Sequence, residues 1–332
     1  MRGVRAAVVV LTLALLAVPV LAHVPTFPSE NTSPDRAVEP HDPVKSWSFY
    51  DRVGPGEVTY YRVTLSAGER LRVGTFTPKS GPFTPSVVLM SPSLNGTEDV
   101  PARVTVPEGM GAVVVPGERP DSPGYEPFAP SADYRTVGID RPVEERTTYL
   151  IAVFEPVNRS GPVGVSIGYR EAFTPTEYAT VPFTLVRTHL WAGQHLLVVL
   201  GPYLLALVAG AAFVRGRRRA DWDARPVRYV AATGGILVLG TAVGTLVQMG
   251  IALWAAGPTL AALVTAAFVL VPAVAGGWAL SVALRDEMTL PLRTRIGLLV
   301  AGLAAVATWA GYLLGPALLA AVAATPPGLV EE

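Results

Sequence analysis

Residues 229–284 read YVAATGGILVLGTAVGTLVQMGIALWAAGPTLAALVTAAFVLVPAVAGGWALSVAL, and this stretch contains no charged residue. A transmembrane helix needs about 20 predominantly apolar residues, so the stretch is long enough for two. The Gly257-Pro258 pair lies near its middle, and glycine and proline are the residues that most often end a helix. The stretch therefore predicts two transmembrane helices, over residues 229–254 and 259–283.

Two further uncharged stretches flank this pair, at Leu190–Val214 and Ile296–Ala324. Each has the length of one span, which predicts helices over residues 192–214 and 296–323. The C-terminal half is therefore predicted to be a four-helix transmembrane domain over residues 189–324, followed by a tail at 325–332.

The arginines of this half are concentrated in two loops, Arg215–Arg228 and Arg285–Arg295. Cytoplasmic loops carry the excess of arginine and lysine in membrane proteins, so both loops are predicted to be cytoplasmic. With four spans, the N-terminal domain and the C-terminal tail then lie outside the cell. We therefore expect a multi-pass protein of the cell (plasma) membrane.

The first 22 residues combine two arginines, an apolar run and the small residues Val20 and Ala22. This is typical of a secretory signal peptide cut before His23. The alternative is an uncleaved anchor that adds a helix. Export through such a signal agrees with an extracellular N-terminal domain.

Residues 23–57 are rich in proline and acidic residues and are predicted to form an extended lead-in. The β-sandwich is predicted for residues 58–180, where alternation with period two and regular turn residues indicate short strands. This spacing favours an antiparallel sandwich of jelly-roll type. The predicted strands are Val58–Leu65, Arg70–Phe76, Ser86–Met90, Gly111–Val115, Tyr134–Ile139, Thr148–Phe154 and Val163–Tyr169.

Composition and motifs argue against several functions. The chain has no cysteine and a formal net charge of zero, and no basic stripe of the kind that nucleic-acid binding requires. Motifs such as G-x-S-x-G, H-E-x-x-H and the P-loop, which assemble catalytic groups, do not occur. We therefore expect a protein that is not an enzyme and has no catalytic residues.

All three asparagines of the chain, Asn31, Asn95 and Asn158, lie in N-x-S/T sequences within the predicted extracellular part. Such sequences are acceptors for N-glycosylation in secreted domains. The sequence therefore predicts a glycoprotein with these three attachment sites.

The N-terminal histidines suggest one metal site. A mature chain that begins at His23 offers a free amine and an imidazole, and His41 could supply a third nitrogen for copper. Imidazole is a suitable ligand for copper. A copper-binding membrane protein is thus one alternative function; otherwise no cofactor is expected.

Several segments resemble the pre-peptidase C-terminal domain of bacteria and archaea: Ser46-Trp47, Tyr60–Val63, Leu65–Val73 and Val88–Pro92. This resemblance implies a secreted jelly-roll-like β-sandwich that acts in binding rather than catalysis.

The whole arrangement is also similar to uncharacterised archaeal surface membrane proteins. The similarity rests on His23-Val24-Pro25, Asp42–Trp47, Tyr125–Phe128, Gly168–Glu171 and His189-Leu190-Trp191. It implies the architecture of an anchored surface domain and no particular function.

Together these features predict a membrane-anchored surface protein whose sandwich binds an extracellular protein, glycan or envelope component. Beside the copper-binding alternative, the chain could be an accessory subunit whose helices dock on other membrane subunits.

Overall fold

The computed structural model describes residues 23–78, 81–97, 99–217, 225–285 and 290–326. The predicted signal peptide and most of the predicted tail lie outside the described residues. Within them, a two-sheet β region is followed by a helical region, which confirms the division predicted from the sequence.

Ten strands form the two sheets. The large sheet has the order β1-β2-β10-β4-β8-β7 and the small sheet the order β3-β9-β5-β6. Only the β1–β2 pair is parallel among the paired strands described. The strands are β1 (Val24–Thr26), β2 (Trp47–Val53), β3 (Val58–Leu65), β4 (Arg70–Thr77), β5 (Ser86–Ser91), β6 (Gly111–Val115), β7 (Gly124–Glu126), β8 (Ser131–Pro142), β9 (Thr147–Phe154) and β10 (Gly161–Ile167).

Alternating residues hold the two sheets together. Val163, Val165 and Ile167 of β10 point to the core and meet Tyr61 and Val63 of β3. Successive side chains on a strand point to opposite faces, so the small residues between them form the outer face of the large sheet. Burying apolar area in this way is the main stabilising contribution to such a core.

The predicted lead-in, residues 23–57, contains two strands of the large sheet, β1 and β2. Trp47, Phe49 and Val53 of β2 are buried in the core, and β2 pairs along its whole length with β10. The alternation of these apolar residues with Ser48 and Tyr50 is a strand pattern that the proline-rich surroundings obscured.

Six helices follow the sheets: α1 (Pro175–Trp191), α2 (Leu196–Arg217), α3 (Pro226–Ala256), α4 (Ala262–Ala283), α5 (Leu292–Ala307) and α6 (Leu314–Ala324). The first was not predicted, and it begins at a capping box in which Thr174 and Glu177 satisfy each other's backbone N–H groups. This pairing stabilises a helix start.

Among the described residues, three helices, α2, α3 and α4, are long and apolar enough to cross a membrane. The break between α3 and α4 falls at Gly257, whose φ of 79° ends α3 as predicted. The fourth predicted span, residues 296–323, is wrong: it consists of α5 and α6, which are separated by a turn. Trp309, Tyr312 and Leu313 adopt left-handed φ values in this turn.

Helices α5 and α6 form a hairpin, so that the end of α6 lies beside the start of α5. The guanidinium of Arg295, in the first turn of α5, donates a hydrogen bond to the carbonyl of Ala323 at 2.8 Å and another to the carbonyl of Thr325. The two ends of the hairpin are therefore adjacent. The chain leaves the hairpin at the arginine-rich end, not at the end that carries the sheets.

Candidate functional site: a cavity between the large sheet and the helices

A cavity of about 1100 Å³ lies between the outer face of the large sheet and residues of α1, α4 and the α5–α6 turn. Ligand-binding pockets commonly measure about 300–1,000 Å³, so this space is large enough for an organic ligand. We call it the sheet–helix cavity.

Small residues on the outer face of the large sheet create the space. Ser48, Gly74, Gly138 and Ser166 come from four strands of the sheet, and all line the cavity. A Cβ atom added at Gly138 would meet no other atom within 4 Å. Because these side chains are small, the outer face of the large sheet borders an open space and is not packed closely against the helices.

Helix α1 closes one side of the cavity. Its Trp191 ring lies 4.9 Å from the ring of Tyr50 and 5.9 Å from the ring of Phe76, measured between ring centroids. The Trp191 indole Nε1 also donates a hydrogen bond to the carbonyl of Asp51 at 2.5 Å. These contacts fix the end of α1 against the sheet.

The β7–β8 hairpin closes the opposite side and contacts α4. The hydroxyl of Tyr125 donates to Thr265 Oγ1 at 2.7 Å, and Thr265 Oγ1 donates to the carbonyl of Pro127 at 2.7 Å. The Phe128 ring packs edge-on against Phe268, with 5.8 Å between centroids. The hairpin tip is therefore held by α4, a helix that is long and apolar enough to cross a membrane.

Two carboxyl groups from this hairpin line the cavity. Glu126 pairs with Ser131 across the hairpin, and Asp133 lies two residues further along β8, so the three side chains share one face. Ser131 Oγ donates to Asp133 Oδ2 at 2.7 Å, and the Phe128 amide donates to Glu126 Oε1 at 3.2 Å. Each carboxyl is therefore held in place by one short-range bond.

The surroundings of both carboxyl groups favour their neutral forms. Burial raises the pKa of Glu126 to about 7, against the lowering effect of the Phe128 hydrogen bond. Burial also raises the pKa of Asp133, and the Ser131 hydrogen bond and the charge of Arg135 oppose this. Desolvation disfavours an ionised carboxylate because it removes hydrogen bonds from water. A ligand that donates hydrogen bonds to these oxygens would replace them.

His23 lies on the same cavity wall as the carboxyls. Its Nδ1 is hydrogen-bonded to Ser46 Oγ at 2.5 Å. Burial lowers the pKa of His23 to about 4, and the charge of Arg135 acts in the same direction. The ring is thus neutral at physiological pH, when it can donate or accept one hydrogen bond per nitrogen.

The arrangement suits a ligand rich in hydroxyl groups. Carboxylate, serine and imidazole atoms provide hydrogen bonds, and the rings of Tyr125, Phe76 and Phe128 offer apolar surface in the same wall. Sites that combine a largely apolar lining with a few convergent polar groups are the usual form of small-molecule sites.

The two histidines predicted to hold copper have separate environments. His23 is bonded to Ser46, and His41 packs edge-on against the Trp47 ring with 5.0 Å between centroids. Within residues 23–326, as far as the structure describes them, no group of three or more His, Asp or Glu side chains is arranged to hold a metal ion.

The three predicted glycosylation sites differ in exposure. Asn95 and Asn158 are exposed in loops after β5 and β9. Asn31 is only 2% exposed, and its Nδ2 donates to Asp51 Oδ2 at 3.0 Å. A glycan at Asn31 would have to replace a hydrogen of this buried nitrogen, whereas the side chains of Asn95 and Asn158 are accessible.

Glu126 and Asp133 carry no motif that would mark them as site residues in the sequence. The one available signal was their position: two acidic residues and Tyr125 flank the short Pro127–Pro130 turn between β-strands. Acidic residues in a turn are usually solvated, and only the contact with Thr265 in α4 places this turn inside the molecule.

Comparison with known proteins adds no relative: no model of a known protein family matches this sequence, and no curated protein is significantly similar to it.

Proposed function

We propose that this chain is a binding protein of the cell surface, anchored in the plasma membrane with its sheets outside and its arginine-rich end in the cytoplasm. The arginine bias of the loops supports this orientation. The three long apolar helices support the membrane anchor. In this proposal the β region is a jelly-roll-like binding module of the pre-peptidase C-terminal type, carried by an archaeal cell.

The ligand in this proposal is a hydroxyl-rich compound, a glycan or another envelope component, and it occupies the sheet–helix cavity. The single observation that carries the proposal is the cavity itself, with Glu126, Asp133 and His23 in its wall. The protein would act by binding, since hydrogen-bonding groups and aromatic surface are what the wall offers.

The test is thermal unfolding of the full-length protein with a panel of neutral sugars that includes glucose, mannose, N-acetylglucosamine and maltose. A ligand present at 100 times its Kd stabilises the folded state by about 2.7 kcal/mol. We expect at least one of these sugars, or decyl maltoside, which carries the maltose head on an alkyl chain, to raise the unfolding temperature in a saturable way.

Two matched variants assign the effect to the cavity. Gly138→Phe places a ring in the cavity from a position where a Cβ meets nothing within 4 Å, so it should abolish the stabilisation. Val113→Phe adds the same ring at an exposed position of β6, outside the cavity, and should preserve it. Stabilisation that is equal in both variants, or absent with every compound, would contradict the proposal.

A further inference from the structure

The wall of the sheet–helix cavity changes character from one side to the other. The charged residues of the wall all come from the β region or the segment directly after it, among them Glu126, Asp133 and Arg135. The residues that α1 and α4 contribute are mostly apolar, such as Val181, Leu185 and Val264. A polar side faces the large sheet and an apolar side faces the helical region.

The apolar side continues toward the interior of the helical region. Phe128, Leu185 and Trp309 also line a second cavity of about 90 Å³, which reaches Thr245 and Gln248 of the membrane-spanning helix α3. The apolar part of the space is therefore at the level of the membrane helices.

Helices α1 and α4 bound the cavity without packing closely on each other. Helix α1 packs on β1, β2 and α2, and α4 packs on α3 and α5; close packing between α1 and α4 is not observed among the described elements. The part of the cavity between the two helices is lined by apolar side chains, including Phe173 and Trp309. An alkyl chain in this part of the cavity would contact residues of both helices.

We propose that the ligand of this cavity is an amphiphile with a sugar headgroup, whose head lies on the large sheet and whose alkyl chain lies between α1 and α4. This inference rests on the proposed function and specifies its ligand. A soluble glycan would use only the polar half of the wall, whereas an amphiphile uses both.

The charges of the wall favour a head without phosphate. Arg72 is paired with Asp140 at 2.9 Å. Apart from this pair, the wall holds the carboxyl residues Glu126, Asp133 and Glu171 and one further cation, Arg135. An added phosphate would place more negative charge among these acidic groups, whereas hydroxyl groups can form hydrogen bonds with a carboxyl group in either its neutral or its ionised form.

The experiment is a calorimetric titration of the full-length protein in amphipol with three probes: decyl maltoside below its micelle concentration, maltose as the head alone, and decanol as the chain alone. Burial of alkyl carbons is favourable by transfer free energy, so decyl maltoside should bind at least about tenfold more tightly than maltose. Decyl phosphate, which carries the same chain with an anionic head, should bind more weakly than decyl maltoside.

A second pair of variants tests where the chain lies. Ala261 lines the cavity at the start of α4, whereas Leu263, two residues further on, is 68% exposed and lies outside the wall. Ala261→Trp should reduce the affinity for decyl maltoside by about tenfold or more, because the ring occupies the chain's path. Leu263→Trp should leave the affinity unchanged.

The outcomes separate this inference from the proposed function. If maltose binds as tightly as decyl maltoside and Gly138→Phe abolishes the binding of both, the cavity is a sugar site and the amphiphile inference is wrong. If decyl maltoside binds equally to wild type, Gly138→Phe and Ala261→Trp, it only dissolves in the apolar surface, and the amphiphile inference is again wrong. Tighter binding of decyl phosphate would overturn the assigned headgroup.

Discussion

The hydroxyl of Tyr125 donates a hydrogen bond to Thr265 Oγ1 at 2.7 Å, and this bond joins a strand of the β region to helix α4, 140 residues away in the chain. Thr265 is fully buried, and its hydroxyl hydrogen goes on to the carbonyl of Pro127. The β region and the helices are therefore connected by a buried polar contact and not only by the chain.

Removal of this contact should destabilise the protein measurably. We expect Tyr125→Phe to lower the free energy of unfolding by about 0.5–1.5 kcal/mol, because one hydrogen bond is lost while Thr265 keeps its bond to Pro127. Thr265→Val should cost about 1–3 kcal/mol, because the buried Tyr125 hydroxyl and the Pro127 carbonyl both lose this partner. Thermal unfolding in detergent measures both. The double variant should lose less free energy of unfolding than the sum of the two single losses, since the two residues share one interaction. If the two losses simply add, the hydrogen bond contributes nothing to stability.

The raised pKa of Glu126 predicts a definite pH dependence. A carboxyl group with a folded pKa of about 7, against an ordinary value of 4.5, gives stability that is fully present below 4.5 and is lost as the pH rises through 7. Wild type should therefore lose up to a few kcal/mol between pH 5 and pH 8 through this group. Glu126→Gln should be the more stable protein at pH 8.

The comparison must be made as a difference between wild type and Glu126→Gln at each pH. Asp133 has a raised pKa and acts in the same direction, while His23 has a lowered pKa and loses stability as the pH falls below 6.5. These groups are common to both proteins and cancel approximately in the difference. A difference that does not change with pH would show that Glu126 does not titrate in this range.

The hairpin of α5 and α6 changes the expected membrane topology. Three spans place the C-terminal end of α6 on the same side as the arginine-rich loops, whereas four spans would place it outside. Single cysteines, in a chain that otherwise has none, distinguish the two. Pro326→Cys and Arg217→Cys should react with an impermeant thiol reagent only after the cells are permeabilised.

Glu145→Cys, in the exposed turn between β8 and β9, is the matched control and should react in intact cells. Labelling of Pro326→Cys from outside would restore the four-span topology. Ser80 and Arg218, the positions that sequence alone would suggest for such labels, lie outside the described residues.

Some of this fold could be predicted from sequence because it depends on local pattern. Strands β3 and β6 occur at the predicted residues, and the break between α3 and α4 falls at Gly257. The hairpin could not be predicted, because an apolar stretch of span length does not show whether it bends. Four residues with left-handed φ make the bend, and only Gly311 among them is a residue type that favours this conformation; Trp309, Tyr312 and Leu313 are not.

The candidate site escaped prediction for a different reason. Glu126 and Asp133 become a half-buried pair in the cavity wall because Tyr125 and Pro127 contact Thr265, a relationship between distant parts of the chain. Gln248 of α3 likewise accepts a hydrogen bond from a distant residue, Gln194 of the α1–α2 connection, at 2.9 Å. Burial of an amide in lipid required a partner, but the sequence did not specify which one.

Exposure predicts which of the three asparagines carry glycans. We expect peptide mass spectrometry of native membranes to find modification at Asn95 and Asn158 and none at Asn31, because only Asn31 is buried and bonded to Asp51. Asn31→Ala should also destabilise the protein by about 1–3 kcal/mol, since Asp51 loses a buried partner. A glycan at Asn31 in the folded protein would contradict the described arrangement of the segment before β2.

The histidines predict weak copper binding at most. A chelate at the mature N-terminus needs the His23 Nδ1, which here is bonded to Ser46 Oγ, and a third nitrogen from His41, which packs against Trp47. Binding copper would therefore require both histidines to leave their present contacts, and ordering them elsewhere costs conformational entropy of about 1–2 kcal/mol for each residue fixed.

Titration of the full-length protein with Cu(II) at neutral pH should show no one-to-one binding below the micromolar range. The matched variant is Ser46→Ala, which frees the His23 ring: it should bind Cu(II) at least as well as wild type if the Ser46 bond opposes chelation. Submicromolar binding by wild type that His23→Ala abolishes would instead make the copper alternative the better account of this protein.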